Sequence, residues 1–171
     1  MIKAGMVLAT AVLGAPALAE DCRFLRDPVH ICGSDHGWFE FGPFGRYGND
    51  AFLTRVGGPN AYIVSDPLDG SDYTLATLEA TALRGLPAGD PEARTVRVLE
   101  RSVVSHLGME WLTLVYERRT SEDVTLLFAN TMALTETHAI QLITIEHEVD
   151  AYTDTHRADH ALFVSAIALE P

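Results

Sequence analysis

The chain has 171 residues, with 24 Asp plus Glu against 12 Lys plus Arg, a formal net charge of −12 and two cysteines. That is one domain's length, enough to bury roughly two thirds of the surface the unfolded chain exposes. A field of that sign repels phosphate backbones and anionic lipid surfaces, which excludes nucleic acid as an expected partner, while the acidity itself serves solubility.

Met1-Ile2-Lys3 supplies one positive charge, Ala4 to Leu13 is apolar, and Gly14 and Pro16 break the run before Ala17-Leu18-Ala19. This is the pattern of a signal peptide over residues 1–19, cleaved before Glu20. The apolar run is too short for a bilayer anchor, which takes about 20 residues. No later segment is apolar enough to span, so no transmembrane anchor is expected. Residues 20–171 are then expected to form a single globular domain, periplasmic or secreted. Lys3 is the only lysine, so every base left after cleavage is arginine.

In an oxidising compartment the lone pair Cys22 and Cys32 is expected to form a disulfide. Closing so short a loop contributes about 3 kcal/mol on the chain-entropy account. A redox-active dithiol would need Cys-x-x-Cys at a helix N-terminus, and the spacing here is longer. Asp27 to Pro59 is crowded with glycine and proline, yet Trp38, Phe39, Phe41, Phe44 and Tyr47 are interleaved. That predicts an ordered loop with short strands at Trp38 to Phe41 and Ala61 to Ser65. Trp38, Phe41, Phe44 and Tyr47 are the candidate ligand- or partner-binding residues.

Pro67-Leu68-Asp69-Gly70 reads as a turn, and Ser71 or Asp72 as the N-cap of a helix near residues 71–85. Leu75, Leu78, Ala82 and Leu86 form its stripe, and Gly85 with Pro87-Ala88-Gly89-Asp90-Pro91 ends it. Four strand-like runs follow, Thr95 to Ser105, Glu110 to Arg119, Asp123 to Leu134 and Ala139 to Val149, with breaks of hairpin length. Both faces of this meander carry apolar residues, so both need covers. A helix near residues 154–169, with Phe163, Ala166 and Ile167 inward and Thr153 or Asp154 as cap, supplies one of them. The fold class is therefore α+β: a central antiparallel sheet, made of the four-strand meander plus short N-terminal strands, with helices on its two faces.

That order, in an exported chain closing on His160-Ala161-Leu162-Phe163-Val164-Ser165-Ala166-Ile167, resembles the PsbP-like α/β/α sandwich of extrinsic photosystem II subunits and small bacterial envelope proteins. The resemblance is architectural and covers the second two thirds of the chain. It implies a non-enzymatic accessory or binding domain whose partner is an envelope protein or a small ligand. The Gly-rich start with its cysteine pair departs from the pattern. A helix followed by four strands also fits cystatin-like or nuclear-transport-factor-like cones, where a long C-terminal helix is less expected.

His156 and His160 stand one helical turn apart, so their imidazoles can face the same way and share a divalent metal. Asp159, Glu146 or Glu148 would complete that site. Arg157 stands where a zinc-peptidase helix carries glutamate, so the motif does not lead to peptidase chemistry. The competing reading leaves His160 at the core edge with one hydrogen-bond partner and His156 in solvent. In Glu146-His147-Glu148, strand alternation sends His147 away from both glutamates, while His106 and His138 fall in turns. Arg118-Arg119 beside Glu117 and Glu122 reads as a salt-bridged strand edge. No Gly-x-Ser-x-Gly elbow, dinucleotide fingerprint or Walker loop is present. The ordering of functions is thus a non-catalytic binding domain first, a metal-binding protein using His156, His160 and Asp159 second, and a small hydrolase third. No cofactor beyond that divalent metal is implied.

Overall fold

The structure is a computed structural model, and it describes residues 21–33, 37–43, 51–55, 57–70, 73–84, 95–119, 124–147 and 154–170. The expected signal segment 1–19, and the caps Ser71, Asp72 and Thr153, lie outside the described residues.

In chain order the elements are β1 (Cys22–Arg26), β2 (Val29–Cys32), β3 (Phe39–Pro43), β4 (Ala51–Thr54), β5 (Asn60–Pro67), α1 (Leu75–Arg84), β6 (Thr95–His106), β7 (Met109–Arg119), β8 (Thr125–Leu134), β9 (His138–His147), α2 (Asp154–Ser165) and β10 (Ile167–Leu169). A seven-stranded sheet runs β3-β4-β5-β9-β8-β7-β6, and a three-stranded sheet runs β1-β2-β10. Every pairing is antiparallel. The meander follows from short breaks: His106 pairs with Met109 around a two-residue turn, which leaves the chain no route but back along itself.

Strand alternation divides the large sheet into two chemically different faces. Leu112, Leu114, Tyr116, Phe128, Met132 and Ile143 point one way and pack with Leu78 and Ala82 of α1. Trp111, Ala133, Ile140 and Leu142, with Ala61 and Ile63, point the other way, against Phe163 of α2 and against Val29, Ile31 and Ile167 of the small sheet. Each large side chain buried here is worth about 1.5–3 kcal/mol of transfer free energy. The result is three layers: α1, the large sheet, then α2 with the small sheet.

The four meander strands match the expectation to within a few residues, and the α+β class with it. Three features differ. The small sheet departs from the expectation, because β2 lies in the Gly- and Pro-rich stretch expected as loop and β1 just before it; the Cys22–Cys32 disulfide joins residues directly opposite one another in their pairing. The C-terminal helix stops at Ser165, and residues 167–169 leave it to pair with β2, with Cys32 N–H donating to the Ala166 carbonyl at 2.7 Å and Glu170 N–H to that of Pro28 at 2.8 Å. The helix α1 starts at Leu75 because Thr74 caps it: Thr77 N–H donates to Thr74 Oγ1 at 3.1 Å and Thr74 N–H to Thr77 Oγ1 at 2.9 Å. This is a reciprocal capping box with threonine at both positions. Among the described residues no helix is long and apolar enough to cross a membrane.

Candidate functional site

The sequence pairs His156 with His160, and the fold brings both against the sheet. Each imidazole is buried, at 1% and 4% exposure, which overturns the reading of His156 as solvated. They face threonines on the α2 side of β7, β8 and β9, since Thr113 and Thr131 are register partners and Thr144 sits opposite Ala129. The contacts form one chain. Thr113 Oγ1 lies 2.8 Å from Thr131 Oγ1, Thr131 Oγ1 is 2.8 Å from His160 Nε2, and Thr144 Oγ1 is 2.9 Å from both His160 Nδ1 and His156 Nε2. His156 Nδ1 ends the chain 3.6 Å from Glu146 Oε2.

At 3.6 Å Glu146 is too distant for a hydrogen bond, but its carboxylate favours by its charge a proton on His156 Nδ1, and Nε2 then accepts from the Thr144 hydroxyl. Thr144, having donated, accepts from His160 Nδ1–H. His160 Nε2 then accepts from Thr131, and Thr131 accepts from Thr113. No group in this sequence of bonds is asked to donate twice. Both rings are held neutral, because burial disfavours the cation. Burial pulls His160 down to about 3, helped by the proximity of His156. It pulls His156 down to about 4 against an opposing pull from Asp159.

Around this network the charges are paired. Asp159 accepts a hydrogen bond from Arg55 Nη1, and Arg157 Nη2 donates to Glu100 Oε2 at 3.2 Å. The trio expected to hold a metal is therefore only partly assembled: His156 and His160 converge on Thr144, while Asp159 turns to Arg55. Among the described residues no three His, Cys, Asp or Glu side chains gather as a metal set. The side chain of His147 and the whole of Glu148 lie outside the described residues.

Of the aromatic loop, Trp38 is only 2% exposed and its ring lies 5.1 Å from that of Phe163. It covers α2 from the inside and is not a surface contact, which corrects its assignment as a binding residue. Phe41 falls on β3 with its side chain outside the described residues, and Phe44 and Tyr47 lie outside them altogether. His106 is half-buried and its ring lies 5.8 Å from that of Trp111, so it is not merely solvated, and its carbonyl accepts from Trp111 Nε1 at 2.9 Å. His138 stands 3.7 Å from Asp27 across the chain. Glu117, expected beside Arg118 and Arg119, is bonded by Arg97 at 2.8 Å across the β6–β7 pair. Sequence reasoning missed Thr113, Thr131 and Thr144. Their signal was available: threonines at inward positions of strands that are otherwise aliphatic must bond to something.

Fold and site together define a three-layered α+β sandwich whose most elaborate polar cluster is sealed inside it. No protein-family model and no curated protein sequence matches the chain. Solved structures do. The cyanobacterial PsbP (CyanoP) of Synechocystis sp. PCC 6803 superposes with a TM-score of 0.56 at 12% identity, over 96% of this chain and 99% of that one. LpqN, described as involved in cell envelope biogenesis of Mycobacterium tuberculosis, gives 0.48 at 12% identity over 84% and 83%. The chain has the PsbP-like fold.

Proposed function

We propose that this chain is an exported, non-catalytic accessory domain that works by binding a partner in the cell envelope or outside the cell. The observation that carries the reading is the fate of the histidine pair. The residues best suited to chemistry are neutral, buried and bonded to the sheet, so they serve the fold and face no substrate. A disulfide between β1 and β2 supports an oxidising compartment. The PsbP-like fold, shared over nearly the whole of both chains, agrees with an accessory role but does not dictate it.

The test is reversible cross-linking in a host that exports the protein, followed by gentle purification and native mass spectrometry of residues 20–171. A stoichiometric complex with one protein, in a chain two hydrogens lighter than the reduced mass, is expected. Turnover of any substrate in a broad hydrolase panel, lost on denaturation, would overturn the reading.

A further inference from the structure

At one end of the sandwich, the β6–β7 turn, the β8–β9 turn and the end of β10 enclose a cleft of about 800 Å³. That volume falls in the range of ligand sites. Leu107, Met109, Leu134 and Leu169 line it with apolar surface, and the ionisable side chains on its walls, Glu136 and Glu170, are both acidic.

One residue at its mouth is held against its own preference. Leu107 and Gly108 are the two central residues of the β6–β7 hairpin, with φ of 52° and 76°. This type of turn favours asparagine or aspartate before glycine, because both central residues take positive φ. A leucine pays steric strain there, and it remains 45% exposed, so burial within this chain does not recover the cost. The local fold would be better served by another residue, and the side chain is left free for a contact outside the chain.

Beside the cleft, β6 is the outermost described strand of the large sheet, and it leaves an apolar side chain exposed on each face, Val104 at 38% on the α2 side and Val103 at 57% on the α1 side. A small molecule filling the cleft would leave that edge in water, whereas an extended polypeptide pairing along β6 would reach both faces of the edge and the cleft.

We propose that this cleft is the docking site of an extended partner segment that places an apolar side chain against Leu107 and Leu134 and a lysine or arginine beside Glu136 and Glu170. The apolar walls select the first group and the carboxylates select the second. The proposal rests on the accessory-domain reading and gives that reading a surface.

The experiment measures fluorescence anisotropy with two labelled decapeptides, one alternating leucine with lysine and the other leucine with glutamate, against residues 20–171. The lysine peptide binds at least tenfold more tightly. Leu107→Asn weakens it at least tenfold while the thermal midpoint holds or rises, because asparagine suits the turn. A merely structural leucine would give the opposite pair of results. Glu136→Gln weakens binding more than Asp154→Asn, which removes the same charge at the end of α2 away from β10. Equal affinity for the two peptides, no loss in Leu107→Asn, or equal losses in the two charge variants would each overturn the proposal. A cross-linked partner whose capture is indifferent to Leu107→Asn would overturn the cleft and leave the accessory role standing.

Discussion

The two faces of the large sheet bury polar groups by different rules. On the α1 side, Asn130 donates to Gln141 at 2.9 Å, and Tyr116 stacks on Phe128 with ring centroids 5.0 Å apart. None of these changes charge in ordinary solution, since burial pushes the Tyr116 hydroxyl up to about 12. On the α2 side, the buried groups include two imidazoles whose ordinary value is 6.5. The same strands thus support one cover that is blind to pH and another that responds to it. Alternation along a strand is enough to separate the two behaviours.

The largest test of that contrast is acid. Above pH 6.5 the histidines are neutral whether the chain is folded or not, and they add no slope. Below it the unfolded chain takes up two protons that the folded chain refuses, so stability falls as pH falls. Each histidine costs about 1.4 kcal/mol per pH unit, down to about pH 4 for His156 and about 3 for His160. At pH 5 the pair therefore removes about 4 kcal/mol. Urea unfolding at pH 7 and pH 5 reads this directly. A His156→Gln/His160→Gln variant should lose that part of the slope, and an unchanged slope would show that the pair is not sealed as described.

The α1 side should answer to packing alone. Leu78→Ala opens a cavity beneath a helix that buries only Leu78 and Ala82, at a cost of about 3 kcal/mol. The loss should be the same at pH 7 and pH 5, and a pH-dependent loss would mean that the two covers are coupled through the sheet. The smallest effect belongs to the start of the same helix. Thr74→Ala removes one half of the capping box, costing about 1 kcal/mol in a chemical melt. A loss several times larger would mean that Thr74 also anchors the chain entering α1.

Much of this could be read before the fold was known. The meander was legible because its β-branched runs are long and its turns short, and α1 because Leu75, Leu78 and Ala82 recur at helical spacing. The ends were less legible. Ile167 to Leu169 carry apolar residues that fit a helix stripe equally well, and only the presence of β2 alongside makes them a strand. Trp38 reads as a candidate binding residue because it stands among the aromatics of a Gly- and Pro-rich stretch, but its burial depends on Phe163, more than a hundred positions away in the chain.

The sequence by itself determined the alternation of the strands, the pairing of the cysteines and the one-turn spacing of His156 and His160, because each is a local or compositional property. The tertiary structure alone decided which face those histidines meet, which threonines receive them and that both rings stay neutral. Burial and long-range register are properties of packing, and no window of neighbouring residues contains them.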